Sequence, residues 1–406
     1  MYKGKEPILL SNLILDPAHS ILTQSYDSRL RLDTRRPHNG DGFGVGYYTP
    51  PELLPLLGPE PCIFTSTIPA WNCTNLARLA SKTVSPLIFA HVRASTEGAL
   101  AETNCHPFSR GCLMWMHNGG IGSFNAGVKR RLVGDVADRW FDGVAGSTDS
   151  EWAFALFLDC LERLGYDPDA VEYQAAGFGH NVLRKAILMV IERINGYIRQ
   201  LPEHARDVSL LNFAITDGRS VVCTRYVSSR TDEAASLFFS SGTNWTKKGG
   251  KSVSGETKGD YRMERRDRGA DIVLVASEPL TFERGTTSLP PCHHSPFFLL
   301  VSFGSLRIAR QADRINTDNW VTVPTNSTVT IHNQTVLIHP IIDEFYQTSP
   351  SFKRSSKFAE TKGQLTTEMA KASIDSSPAE LTRTNSTDDL AERVTDKVKS
   401  LGLAAA

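Results

Sequence analysis

The sequence lacks three features that would place it at once in a broad functional class. Its 44 basic and 44 acidic side chains cancel, so it has no basic excess of the kind that general nucleic-acid-binding proteins show. It has no apolar run of about 18 residues, so a membrane-spanning helix is not expected. The first residues, Met1 to Glu6, lack the apolar segment of a secretory signal. We therefore expect a cytoplasmic protein whose partners include neither nucleic acid nor membrane.

Cysteine is scarce, and its spacing indicates no covalent or metal framework. The seven cysteines are odd in number and none forms a Cys-x-x-Cys pair, so neither a disulfide framework nor a zinc ribbon fits. His91, His106 and His117 follow one another at intervals of 15 and 11 residues, which is no standard metal-ligand spacing. We expect reduced structural thiols, no metal and no cofactor.

The apolar content is sufficient for a core, because 40% of the residues are hydrophobic and the net charge is zero. Short apolar runs bounded by turn residues predict strands at 87–90, 113–116, 213–215, 272–275, 297–301 and 329–331. Apolar residues at helical spacing predict helices at 151–165 and 182–201. The length allows two or three ordinary domains, but we interpret residues 1–346 as one globular domain.

Two regions differ in composition from this body. The stretch at about 243–270 contains little that could be buried, so we interpret it as a polar surface insertion. Residues 347–406 contain nine serines, eight threonines and only two aromatic residues, which predicts a disordered tail. Within the tail, apolar residues on one stripe predict a short helix at 387–401.

Four polar segments could carry chemistry. Arg93, after a predicted strand, presents a planar fork suited to a carboxylate; the alternative is a surface arginine. Asn118 and Gly119 could form an oxyanion hole or a hairpin turn. Asp149 could pair with an ammonium group or cap a helix. The glycine-rich segment 39–46 fits neither a dinucleotide fingerprint nor a P-loop, so we interpret it as a tight turn leading into a strand.

A single ligand could engage three of these groups, namely Arg93, Asp149 and the Asn118–Gly119 pair. An arginine for a carboxylate and an aspartate for an ammonium would hold the zwitterionic end of an amino acid. An oxyanion hole would then serve acyl transfer at the other end of the ligand. That combination describes γ-glutamyl or amide chemistry.

In order and spacing, these segments resemble the class II glutamine amidotransferases of the N-terminal-nucleophile hydrolase superfamily. The resemblance rests on residues 91–96, 104–107, 117–119, 147–151 and 275–279. Residues 17–20, 24–25, 39–44 and 340–345 are similar to one branch, the amidotransferase-like subunit of the fungal cytosolic glutathione-degradation complex. The resemblance implies an α+β fold, a four-layer αββα sandwich of two antiparallel sheets.

The family resemblance also implies site roles. Arg93 would bind the substrate α-carboxylate and Asp149 its α-ammonium, while Asn118 and Gly119 would form the oxyanion hole. Two further residues, Thr96 and His106, would shape the pocket.

The family nucleophile is a cysteine exposed by removal of the initiator methionine, with its own α-amino group as base. The family begins Met-Cys-Arg, whereas Met1 is followed here by Tyr2. No other cysteine is expected to substitute, because an internal cysteine has no free α-amino group beside it. We therefore expect no acyl-enzyme from this chain, and we hypothesise that its start is truncated or misassigned.

Three functions follow from the resemblance. The first is hydrolysis of the γ-glutamyl bond of glutathione, in a complex with a metallopeptidase-like partner subunit. The second is a glutamine amidotransferase that supplies ammonia to a separate synthase. The third is a catalytically inactive scaffold or γ-glutamyl-binding subunit, which the missing nucleophile favours.

Overall fold

The computed structural model describes residues 1–26, 39–94, 99–247, 261–266, 269–281, 320–349, 352–364 and 366. In chain order, the strands are β1 (Tyr2–Leu9), β2 (Phe43–Tyr47), β3 (Cys62–Ser66), β4 (Val84–Val92), β5 (Phe108–Arg110), β6 (Leu113–Gly120), β7 (Leu210–Thr216), β8 (Val221–Arg225), β9 (Phe238–Gly242), β10 (Asn244–Lys247), β11 (Tyr261–Glu264), β12 (Ile272–Ala276), β13 (Val321–Thr322), β14 (Ser327–His332) and β15 (Thr335–Pro340). Five of the six predicted strands are confirmed, each inside a longer strand; the predicted strand at 297–301 lies outside the described residues.

The helices, in chain order, are α1 (Ser11–Ile14), α2 (Ile21–Tyr26), α3 (Leu54–Leu57), α4 (Thr74–Ala80), α5 (Lys129–Asp135), α6 (Asp138–Phe141), α7 (Asp149–Arg163), α8 (Val171–Ala176), α9 (His180–Arg199) and α10 (Lys357–Thr361). The two predicted helices are confirmed as α7 and α9, each beginning and ending two residues earlier than predicted. None of the helices in the described ranges combines the length and apolarity that crossing a bilayer would need.

The strands form two large antiparallel sheets. The first has seven strands in the order β13-β9-β12-β1-β4-β2-β3, and the second has six in the order β15-β14-β8-β7-β6-β5. β1 is thus an inner strand of the first sheet, paired with β12 on one side and β4 on the other. β10 and β11 form a separate two-stranded hairpin.

Because side chains alternate along the strands, most of the buried apolar residues in the described ranges fall into three large clusters, one between each pair of neighbouring layers. In β4, Leu87 and Phe89 pack in a cluster between the two sheets. Ile88 points to the other face of the first sheet and packs in the cluster that includes residues of α1 and α4. In β6, Met114 belongs to the cluster between the sheets, and Trp115 packs with α7 and α9. The order of layers is therefore helix, sheet, sheet, helix, which confirms the predicted four-layer α+β sandwich.

The glycine-rich segment 39–46 leads into β2, so the predicted strand after it is confirmed. A Cβ at Gly44 would lie 2.0 Å from the carbonyl oxygen of His106, which belongs to the chain entering the second sheet. Glycine at this position therefore allows the two sheets to approach closely.

The interpretation of residues 243–270 as a polar insertion needs correction at its ends. Trp245, Tyr261 and Met263 are buried and pack in the cluster under the first sheet. The Trp245 and Tyr261 rings stack at 5.6 Å. Since β10 and β11 alternate polar and apolar residues, a predominantly polar sequence still buries one face of the hairpin.

The predicted disorder of the tail is wrong for residues 352–364. The Arg354 guanidinium donates hydrogen bonds of 2.9 Å to the carbonyl oxygens of Asp232 and Phe345. Ala359 of α10 is fully buried. One arginine and a few apolar residues are enough to dock this segment against an existing surface. The helix predicted at 387–401 lies outside the described residues.

Candidate active site

The candidate site lies where β4 of the first sheet and β6 of the second sheet end, next to the start of α7. The predicted residues Arg93, Asn118, Gly119 and Asp149 come from these three chain segments. Thr96, the other predicted pocket residue on the chain after β4, lies outside the described residues.

Arg93 is buried at the end of β4, with 5% of its surface exposed. Its guanidinium donates to the carbonyl oxygens of Asp41 and Ala99, both at 3.4 Å. The Ala99 carbonyl also accepts a hydrogen bond of 2.9 Å from the Asn104 amide, whose oxygen accepts one of 3.0 Å from the Ser147 N–H. Arg93 is therefore linked through three successive hydrogen bonds to the segment that leads into α7. The alternative of a surface arginine is wrong.

Asn118 and Gly119 lie inside β6 rather than in a hairpin turn, because they pair with Asn212 and Leu211 of β7. Gly119 has a φ of +133°, and a Cβ there would lie 2.0 Å from the carbonyl oxygen of Leu210. Within the described part of the chain, the Asn118 amide makes no hydrogen bond. Asn118 lines the cavity described below.

Asp149 is the first residue of α7, and Thr148 is the N-cap, with its hydroxyl accepting from the Glu151 N–H. The carboxylate of Asp149 accepts a hydrogen bond of 2.8 Å from the Ile121 N–H, just after β6. The capping alternative for Asp149 is therefore wrong. Its carboxylate instead joins the helix start to the end of the strand that carries Asn118.

His106 packs beside the site with 6% of its surface exposed. Its Nδ1 lies 3.1 Å from Nε2 of His91, and the two rings meet edge to face. Burial holds the pKa of His106 well below its usual value of 6.5, and the neighbouring His91, His117 and Arg93 act in the same direction. His106 is therefore a neutral group that packs against His91.

The depressed pKa of His106 makes a prediction about acid stability. Since the unfolded chain takes up a proton below about pH 6.5 and the folded His106 does not, the free energy of unfolding should fall as the pH falls below 6.5. The slope is about 1.4 kcal/mol per pH unit for one proton. In His106→Gln, the free energy of unfolding from urea denaturation should depend less steeply on pH. The slope should fall by an amount that corresponds to nearly one proton, about 1.4 kcal/mol per pH unit. His204→Gln, at an exposed histidine, is the control, and equal slopes in both variants would contradict the prediction.

A cavity of about 160 Å³ lies in line with β1, beyond Met1. Residues 90–92 of β4 and residues 276–278 at the end of β12 flank it, and the second sheet closes it. Its polar lining includes Gln24, Asn39, His91, Asn118, Asn212 and Glu278. Of the predicted residues only Asn118 lines it. Arg93 and Gly119 adjoin lining residues along the chain, and His106 contacts the lining residue His91. Asp149 contacts Ser150, which in turn contacts the lining residue His117.

The sequence reasoning missed Glu278 as a site residue. Its carboxylate is 6% exposed, lines the cavity and lies 2.7 Å from Nε2 of His19. The His19 carbonyl in turn accepts a hydrogen bond of 2.9 Å from the Gln24 amide. The segments 17–20 and 275–279 appear in the family resemblance, but nothing local indicates that residues 259 positions apart would meet.

The amino group of Met1 is buried at the cavity and donates a hydrogen bond of 2.8 Å to the Val275 carbonyl. Burial lowers its pKa to about 6, and the nearby Cys223 opposes the shift. Burial raises the pKa of Cys223 to about 12, and the Met1 amino group opposes that shift. Both Met1 and Cys223 line the cavity, but burial keeps Cys223 a thiol rather than a nucleophilic thiolate. Among the described residues, no three His, Cys, Asp or Glu side chains are placed to hold a metal ion.

The chain is similar in sequence to known proteins over most of its length. Residues 12–225 match the family model for glutamine amidotransferases class-II. The chain is 49% identical over 367 residues to the "Probable glutamine amidotransferase DUG3" of Saccharomyces cerevisiae, covering 90% of each protein. It is 33% identical over 116 residues to the gamma-glutamyl-hercynylcysteine sulfoxide hydrolase of Mycobacterium tuberculosis, covering 28% of this chain and 44% of that one.

A solved structure, a glutamine aminotransferase class-II domain protein from Silicibacter pomeroyi, aligns with a TM-score of 0.45 at 20% identity. The alignment covers 84% of this chain and 98% of that one.

Proposed function

This chain belongs to the class II glutamine amidotransferase family, and from that premise we propose that it hydrolyses the γ-glutamyl bond of glutathione once a cysteine is supplied in line with β1. The observation that carries the proposal is the cavity beyond Met1, bordered by the ends of β4, β6 and β12. The proposal includes cytoplasmic action in a complex with a metallopeptidase-like partner subunit.

The strand register supports a position for the nucleophile. Tyr2 is level with Ile88 of β4, and the strands are antiparallel. Each step back along the line of β1 is therefore one step forward along β4, so a residue four positions before Met1 would be level with Arg93. Met1 packs in the cluster between the sheets, and side chains alternate along a strand. A side chain four positions earlier would also point between the sheets, towards the face of β6 that carries Asn118.

The chemistry follows from these positions. In the proposed reaction, Arg93 holds the α-carboxylate of the γ-glutamyl group and Asp149 holds its α-ammonium. The cysteine sulfur attacks the γ-carbonyl carbon, and its own α-amino group takes the thiol proton. Asn118 and Gly119 stabilise the oxygen that becomes negative. Collapse breaks the bond to nitrogen, which takes the proton, and water then releases glutamate from the thioester.

The Met1 amino group illustrates why an α-amino base suits this place. Burial lowers the pKa of the Met1 amino group to about 6, so this group is largely unprotonated at neutral pH and ready to accept a proton.

Two observations bear on the substrate. Glutathione and glutamine share the γ-glutamyl head that Arg93 and Asp149 would recognise, so the head alone does not separate them. The mycobacterial relative is named for removing a γ-glutamyl group from a cysteine derivative, and the yeast relative is named as a probable glutamine amidotransferase. The first name supports glutathione, and the second keeps glutamine as the alternative substrate of an enzyme that supplies ammonia to a separate synthase.

The test is an N-terminal extension. A Met-Cys-Arg start followed by two β-branched residues would place the cysteine four positions before the present Met1, after removal of the new initiator methionine. The extended chain, alone and with the partner subunit, is assayed for glutamate release from glutathione and from glutamine. The matched control carries Ser in place of the new Cys, which keeps the strand but removes the thiol.

We expect the extended chain to release glutamate from glutathione and the serine control to release none. Turnover of glutamine alone would replace the proposal with the amidotransferase. Turnover of neither substrate, with ligand binding intact, would favour the inactive scaffold.

A further inference from the structure

The residue before Asn118 takes part in a chain of hydrogen bonds that ends on Asp149. His117 is 2% exposed, and its Nε2 lies 3.1 Å from the carbonyl oxygen of Leu210. A carbonyl can only accept, so Nε2 carries a proton and, in the neutral ring, Nδ1 is a bare acceptor. Nδ1 lies 3.0 Å from the hydroxyl oxygen of Ser150.

The Ser150 hydroxyl has one proton and two neighbours that could accept it. One is Nδ1 of His117 and the other is Oδ1 of Asp149, at 3.3 Å. While His117 is neutral, its Nδ1 needs a hydrogen-bond donor. The Ser150 hydroxyl therefore donates to Nδ1, which is the nearer of the two acceptors. The Asp149 carboxylate then receives the Ile121 N–H on Oδ2 but no proton from Ser150 on Oδ1.

We propose that His117 is a positioning residue, which keeps the Ser150 proton away from Asp149 and so leaves that carboxylate oxygen for the ammonium group of a γ-glutamyl substrate. This inference rests on the proposed function, because it assumes that Asp149 binds the ammonium. Protonation of His117 would reverse the direction of the hydrogen bonds between His117, Ser150 and Asp149. Nδ1–H would then donate to Ser150, whose hydroxyl would turn to Asp149 and compete with the substrate.

The surroundings of His117 favour the neutral form. Burial lowers its pKa below 6.5, and the Asp149 carboxylate opposes this shift. His117 in turn helps to lower the pKa of His106. On β7, the Phe213 ring packs 4.7 Å from the imidazole and adds no charge.

The test uses the chain that begins at Met1, which has no N-terminal cysteine and can be titrated with glutamine. His117→Gln is the main variant, because the Gln amide nitrogen can take the place of Nε2 while the acceptor at Nδ1 is lost. We expect the Kd for glutamine to rise roughly tenfold, the scale of one charge-assisted hydrogen bond. Ser150→Ala removes the competing hydroxyl, so the double variant should return to within about twofold of Ser150→Ala alone.

A second ligand separates positioning from a general structural effect. Glutaramate is glutamine without its α-amino group, and its Kd should be the same in the parent and in all three variants. The affinity of the parent for glutamine, but not for glutaramate, should fall only once the pH drops below the lowered pKa of His117. In Ser150→Ala the glutamine affinity should not follow pH in this way.

The outcomes distinguish two failures. If the parent binds glutamine no more tightly than glutaramate, Asp149 does not hold the ammonium, and the proposed role and this inference both fall. If the parent prefers glutamine but His117→Gln has no effect, or Ser150→Ala gives no rescue, only this inference is overturned.

Discussion

Replacing Arg93 by alanine should weaken the binding of glutamine by on the order of a hundredfold. The Arg93 side chain is buried, so the ligand carboxylate that pairs with it loses most of its water. Truncating one partner of a buried charge pair costs about 2–5 kcal/mol, and each 1.4 kcal/mol is roughly tenfold in Kd. Calorimetric titration measures this directly on the chain that begins at Met1, which has no N-terminal cysteine to consume the ligand.

Two controls make the Arg93 result specific. Arg110→Ala removes an exposed arginine that pairs with Asp169 and should leave the Kd unchanged. Arg93→Lys keeps the charge but loses the planar fork, so it should fall between the parent and Arg93→Ala. The ligand 4-aminobutanamide, which is glutamine without its carboxylate, should bind the parent and Arg93→Ala equally. An unchanged Kd for glutamine in Arg93→Ala would remove this residue from the site.

The sequence predicts the parts of this site that lie at the ends of regular elements. Arg93 follows a run that is recognisable as a buried strand, and Asp149 begins a helix with a clear apolar face. Both patterns are local, because strands and helices are recognised by the periodicity of apolar residues over a short stretch of sequence. The resemblance then supplies roles that periodicity cannot give.

What the sequence does not predict is how these ends meet. Glu278 reaches the cavity only because β12 lies beside β1, and it pairs with a histidine far away in the chain. Asn212 lies there because β7 pairs with β6. For Asn118 and Gly119 the local pattern is misleading, since an Asn-Gly pair usually marks a turn. Here the pairing with β7 keeps both residues inside a strand, and this long-range contact is not encoded in the dipeptide.

Gly119→Ala should lower the free energy of unfolding by about 3 kcal/mol or more, and it should abolish ligand binding. A φ of +133° is outside the range that side chains tolerate, which costs on the order of 1–3 kcal/mol. The new Cβ would also lie 2.0 Å from the Leu210 carbonyl oxygen, which is a backbone atom and cannot rotate away. That carbonyl is further held by the hydrogen bond from His117.

Gly165→Ala separates the two contributions to this cost. Gly165 follows α7 with a φ of +88°, but no atom lies within 4 Å of the place that a Cβ would take, so only the backbone conformation is penalised. Urea denaturation should therefore show a loss of about 1–2 kcal/mol for Gly165→Ala and a clearly larger one for Gly119→Ala. Equal losses would mean that the approach of Leu210 is not important. A larger loss of unfolding free energy in Gly119→Ala would mean that the end of β6 must move. Asn118 would move with it, and so would the Ile121 N–H that donates to Asp149. The same glycine would then support both the proposed oxyanion hole and the proposed ammonium site.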